Sequence, residues 1–170
     1  MTSLRLRAVL GVLLFSVAAF GQKQSAKSGD ETLKPLAKNA PKDEPKTAVG
    51  KGSVNNFEKA MAPYVAQARK TLPDTKKRFQ KGLQPGEVLY VTTRLYNAAG
   101  RYEQVFVEVK SWKDSTIAGL LSSEPELVKE HKRGEKLTVQ EKDVYDWTIS
   151  KPDGSEEGNF VGKFLDTYQP

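Results

Sequence analysis

Two carboxylates and one aromatic side chain have the types and surroundings that could do chemistry. Glu103 lies within a run that reads as a strand, and Asp146 is followed directly by Trp147. If Glu103 and Asp146 flanked one cleft about 5 to 10 Å apart, they could act as general acid and base in a hydrolysis. Asp146 and Trp147 together could instead anchor a polar ligand through hydrogen bonds and stacking. Each residue also has a structural explanation, which we prefer. Trp147 fills a core and Asp146 accepts amide hydrogens from a nearby turn. Glu103 pairs with Arg94 or Arg101 across a hairpin.

Other chemistries are harder to build. The chain has no cysteine and a single histidine, which removes thiol nucleophiles, thiolate zinc sites and multi-histidine metal clusters. No metal and no cofactor is expected. His131 sits among Glu130, Lys132 and Arg133, a charged surface setting that does not suit a Ser/His/Asp triad. Gly154-Ser155-Glu156-Glu157-Gly158 lacks the strand-to-helix context of a phosphate loop and reads as a hairpin tip. Between Tyr64 and Lys81, Arg69, Lys70, Lys76, Lys77, Arg78 and Lys81 face only Asp74. They form an anion-binding face or, as we prefer, a solubilising one. Aromatic residues are not interleaved with these bases, so no specific nucleic-acid partner is expected.

The elements that position these residues begin after a leader. Arg5 and Arg7 precede an apolar run from Ala8 to Phe20, the pattern of a signal peptide over residues 1–21. As a helix that run rises only about 20 Å, short of the roughly 30 Å of a bilayer core, so no transmembrane anchor is expected after processing. Residues 22–54 are rich in Lys, Ala, Pro, Ser and Gly. They hold too little apolar surface to offset ordering entropy and are expected to be a disordered linker.

Residues 55–170 form the expected domain. Asn55 or Asn56 can cap a helix in which Phe57, Ala60, Met61, Tyr64, Val65, Ala68 and Leu72 share a face. Pro63 is expected to kink or split it, and Pro73 to end or bend it before a short segment carrying Phe79 and Leu83. Strands are expected at 88–96, 102–112, 116–121, 136–140, 144–150 and 159–165, with a short helix from Pro125 to His131. Local turns favour an antiparallel sheet of about six short strands, strongly bent or closed into a partly open small barrel, with the amphipathic helical region packed on one face. The fold class is α+β. From Gly82 to Pro170, eleven bases meet fifteen acids, so the mature chain is basic first and acidic later.

This order of features resembles the YegJ-like family, domain of unknown function 2314. The resemblance is carried by Ala66-Gln67-Ala68-Arg69-Lys70-Thr71-Leu72-Pro73, Tyr102-Glu103-Gln104-Val105-Phe106-Val107, Gly119-Leu120-Leu121-Ser122-Ser123-Glu124-Pro125, and Val144-Tyr145-Asp146-Trp147 followed by Gly158-Asn159-Phe160. Ser123, Gln104 and Phe106 depart from the residues usual at those places. The resemblance implies an α+β fold, and export in many members, but no established activity.

Three functional classes follow. We prefer an exported, non-enzymatic binding or interaction module, periplasmic or secreted, whose partner is an envelope protein or an anionic envelope polymer. The alternatives are an envelope-acting hydrolase using Glu103 and Asp146, and an immunity-type inhibitor of a toxin.

Overall fold

A computed structural model describes residues 38–41 and 51–168. The expected leader at 1–21 and most of the expected linker at 22–54 lie outside the described residues. Within the linker, Asn39 donates from Nδ2 to the Gly86 carbonyl at 3.3 Å, and Pro41 is buried.

Helix α1 spans Lys51–Lys81 without interruption, taking in residues 51–54 that composition had placed in the linker. It runs through both Pro63 and Pro73, so neither proline splits or ends it. Each proline removes one amide donor, but the helix is held from outside by packing. Met61, Ala68, Leu72 and Thr75 are buried along it. Close to Pro73, the Thr71 hydroxyl donates to the carbonyls of Gln67 and Ala68, and Thr75 donates to that of Thr71. At about 1.5 Å per residue the helix is roughly 46 Å long, so its two ends reach different parts of the sheet.

The sheet comprises β1 (Val88–Tyr96), β2 (Tyr102–Lys113), β3 (Thr116–Leu121), β4 (Lys136–Gln140), β5 (Asp146–Ser150) and β6 (Glu156–Gly158), in the order β4-β3-β2-β1-β5-β6. Every pairing is antiparallel. The sheet is not closed: β4 and β6 are its two edges, so it is no barrel. The first hairpin turns at Asn97, whose side-chain oxygen accepts the amides of Ala99 and Arg101 while Gly100 takes φ 72°, a conformation open to glycine.

Alternation sorts the strands into two faces. Leu89, Val91, Val105, Val107, Ile117, Leu121, Trp147 and Ile149 turn to one side, where Ala68 and Leu72 of α1 complete the core. Gly119 lies between Val109 and Leu137 in the register. A Cβ there would stand 2.2 Å from the Glu108 carbonyl oxygen, so β2 and β3 meet closely only because a side chain is missing.

Three local expectations differ from the structure. Residues 125–131 form an irregular loop, in which the amides of Glu126, Leu127 and Val128 go to the Glu103 carboxylate rather than to a helical ladder. β5 begins at Asp146, not Val144. The segment expected as a last strand is helix α2, Phe160–Thr167. Phe160, Val161, Phe164 and Leu165 repeat at the helical four-residue spacing, and Gly158 (φ 75°) and Asn159 (φ 52°) turn the chain sharply into it.

Candidate functional site

Asp146 opens β5 and is 1% exposed. Its Oδ1 accepts the Trp147 amide at 2.8 Å and its Oδ2 the Val161 amide at 2.6 Å. The carboxylate thus ties the start of β5 to the first turn of α2, whose free amides favour a negative charge. Burial pushes its pKa up to about 6, against the opposing pull of the amides of Val161, Trp147 and Phe160.

Trp147 leaves β5 on the other face. Its Nε1 donates to the Ala68 carbonyl at 3.2 Å and to the Thr71 hydroxyl at 3.0 Å, and its ring meets Phe160 edge-on at 5.8 Å. A Cβ on Gly158 would lie 2.6 Å from the indole Cε3. The indole is therefore enclosed by α1, β6 and α2.

Glu103 does not pair with Arg94 or Arg101. Its carboxylate accepts the amides of Glu126 (3.1 Å), Leu127 (2.8 Å) and Val128 (3.3 Å), and so fixes the loop between β3 and β4. Removing it by Glu103→Ala should cost about 1 to 2 kcal/mol and speed amide exchange at Leu127 and Val128. Exchange unchanged at both positions would show that the carboxylate does not hold this loop.

The two carboxylates do not converge. Asp146 stands opposite Thr92 and Glu103 opposite Leu95. Thr92 and Leu95 are an odd number of residues apart on one strand, so their partners' side chains leave the sheet on opposite faces. His131 meets Glu135 through Nδ1 at 3.1 Å.

The basic residues of α1 are largely engaged. Lys76 donates to the Asp114 carbonyl at 2.5 Å and to Glu141 at 2.7 Å, with its Nζ 5.5 Å from the centre of the Trp112 ring. Arg78 bridges Glu87 and Glu157, and Lys77 pairs with Asp74 on the surface. Lys70 and Lys81 are exposed. Arg69 is different: it donates Nε to the Val144 carbonyl at 3.2 Å and Nη2 to that of Lys142 at 3.4 Å, and its other guanidinium hydrogens have no hydrogen-bond partner among the described residues.

Arg69 borders a cavity of about 400 Å³, together with Thr93 to Tyr96 of β1, Leu137 to Gln140 of β4, and Lys142, Asp143 and Tyr145. β1 and β4 are three strands apart, so the sheet bends around this space. Arg94 is the cavity's most constrained member. Its Cζ lies 4.0 Å from the centres of both the Tyr102 and Tyr145 rings, a cation held between two π faces. Its Nη2 meets both oxygens of Glu58 at 2.5 and 2.7 Å, and its side chain is 10% exposed. Its Nε is buried without a hydrogen-bond partner. Burial alone would raise the Glu58 pKa, but hydrogen bonds from Arg94 and the Tyr102 hydroxyl, with the Arg94 charge, hold it below the usual range. Burial, then the Glu58 hydrogen bond, pushes Tyr102 up to about 12.

This cluster was missed from sequence. Arg94 and Tyr102 are two register steps apart across the first hairpin, a diagonal that the strand pattern could have given. Glu58, distant in sequence on α1, carried no such signal.

The cavity lining thus combines Arg69, Arg94 and Lys142 with one acid, Asp143. Such a set can receive an anion, and it contains no pair of carboxylates for acid and base work. Among the described residues, no group of acidic and histidine side chains is arranged to hold a metal ion, and no helix is long and apolar enough to cross a membrane. No curated protein and no solved structure matches the chain. The family described as "Uncharacterized protein conserved in bacteria (DUF2314)" matches residues 55–166, which span α1 beyond its first turn, the whole sheet and α2, and the chain belongs to that family.

Proposed function

We propose that this chain is an exported binding module of the bacterial envelope that recognises its partner without chemical turnover. The observation that carries this is the engagement of Asp146, whose two oxygens hold two main-chain amides. Glu103 is likewise committed to a loop, so both candidate acids have structural tasks. The cavity beside Arg69 and Arg94 offers cations, aromatic edges and apolar surface instead, the composition of a recognition site.

Export rests on the leader: two arginines, then a short apolar run ending in small residues. Amino-terminal sequencing of the protein recovered from its native compartment should find a start close to Gln22. Recovery of the unprocessed chain from the cytoplasm would remove export from the proposal.

The test of function is a pull-down from envelope extract with the full chain, beside Lys142→Glu. Lys142 is exposed at the cavity rim, so reversing its charge should leave the fold intact. A partner retained by the wild type and lost by the variant is the expected result. Catalytic turnover of envelope material, abolished by Asp146→Asn in a folded variant, would overturn it.

A further inference from the structure

β4 is an edge strand whose free side can be read residue by residue. The Leu121 amide donates to the Glu135 carbonyl and the Gly134 amide donates to the Leu121 carbonyl. With Gly134 at φ 83°, this is a glycine bulge that sets the ladder. Two residues on, Leu137 faces Gly119, and then Val139 faces Ile117. Leu137 and Val139 therefore turn their main-chain groups toward β3, while Lys136, Thr138 and Gln140 turn theirs away from it. Among the described residues no strand pairs with that outer side.

The cavity borders four consecutive β4 residues, Leu137 to Gln140. Their side chains alternate between faces, so the space runs along the main-chain edge itself. At the far end of β4 the edge leads to Lys142, with Arg69 and Arg94 on the cavity wall. Unpaired edges are normally blunted because they recruit other strands. Here the edge is short and stands beside the exposed Lys142 and the partly engaged Arg69.

From this we infer that the cavity receives an extended acidic peptide segment, which adds a strand to β4 through Thr138 and places a carboxylate against Lys142 and Arg69. Strand addition supplies affinity through main-chain hydrogen bonds, and the cations select the sequence. This deepens the binding proposal and rests on it. The apolar residues Leu95 and Leu137 on the wall suit side chains alternating with the acidic ones.

The test is fluorescence anisotropy with the full chain and end-blocked peptides in which valine alternates with glutamate, with serine or with lysine. The glutamate peptide should bind, more weakly at higher salt, and the lysine peptide should not. Thr138→Pro deletes an outward amide where an edge strand tolerates proline, and should weaken the glutamate peptide by about tenfold, the worth of one lost hydrogen bond. Lys142→Glu should weaken it at least as much, and keeps the proposal testable if the proline variant does not fold. Equal binding of all three peptides, or undiminished binding by both folded variants, would overturn the inference. Binding of the anionic polysaccharide polygalacturonate with no sensitivity to Thr138→Pro would overturn the peptide assignment. If no peptide binds while Lys142→Glu still loses the captured envelope partner, the peptide inference fails and the binding module stands. Hydrolysis of a peptide by the wild type would instead count against the binding module itself.

Discussion

Trp147→Ala is expected to destabilise the domain by about 3 to 5 kcal/mol, the range for emptying a large aromatic site in a core. The loss has three sources in this structure. The indole is 8% exposed and belongs to the main core. Its Nε1 is the hydrogen-bonded link from β5 to α1, through the Ala68 carbonyl and the Thr71 hydroxyl. Its ring also packs on Phe160 and across Gly158, so the cavity left behind would open between the sheet and both helices. Urea unfolding followed by far-ultraviolet circular dichroism reads the change directly. Trp147→Phe should recover most of the packing but not the hydrogen bonds, and should fall between the two. A Trp147→Ala protein as stable as the wild type but defective in binding would mean that the indole is a ligand contact, not a core residue.

Asp146→Ala should cost about 2 to 4 kcal/mol, because it leaves the Trp147 and Val161 amides buried without their acceptor. The wild-type carboxyl also gives stability a dependence on pH whose sign is unusual for an aspartate. Its folded pKa, pushed up to about 6, lies above the value near 3.9 expected in the unfolded chain. Between these values the folded state holds the proton that the unfolded state releases. Stability therefore falls as pH rises from about 4 to about 6, by on the order of 3 kcal/mol from this group alone. Carboxylates held low in the fold, such as Glu58 and Glu157, act in the opposite sense: their stabilisation is present above their unfolded pKa and lost as pH falls. The Asp146 contribution is isolated by comparing wild type with Asp146→Asn across the window. The stability of the wild type relative to the variant should decrease as pH increases. A difference that grows with pH would place the folded pKa below the unfolded one, with the amide bonds outweighing burial.

Most of the architecture was legible in the sequence because it is local. β1 through β4 follow from runs of alternating residues bounded by Asn97, Gly100, Asp114 and Gly134. The apolar stripe of α1 follows from its spacing of three and four. Failures came where tertiary contacts override local preference. Pro63 and Pro73 do not break α1, because burial of Met61, Ala68 and Leu72 holds it against the rest of the fold. The segment after Asn159 mixes aromatic and aliphatic residues over a length that suits either a strand or a helix. Its assignment is decided by the left-handed turn at Gly158 and Asn159 and by the Asp146 carboxylate at its first turn, neither of which local pattern displays.

The candidate site was less legible for the same reason. Asp146 and Trp147 stood out by type, and both have partners within the fold. Glu103 stood out too, but its partners are the amides of a loop more than twenty residues later in the chain, not the expected arginine across the hairpin. The cavity beside Arg94 depends on Glu58 from α1, Tyr102 from β2 and Tyr145 from the connection into β5. Only the folded topology brings these together. Of the six bases marked on α1, Arg69 is the one that lines the cavity, and what distinguishes it from Lys76 or Arg78 is which groups stand across from it.

On the proposed reading, recognition resides in the cleft between β4 and Arg94, while Asp146 serves the fold. The most direct measurement is the affinity of the valine–glutamate peptide for Lys142→Glu and Asp146→Asn, side by side, under conditions where circular dichroism shows both folded. Loss of binding in Lys142→Glu with near wild-type affinity in Asp146→Asn is the predicted result. Equal affinities for the two, or a loss confined to Asp146→Asn, would contradict it.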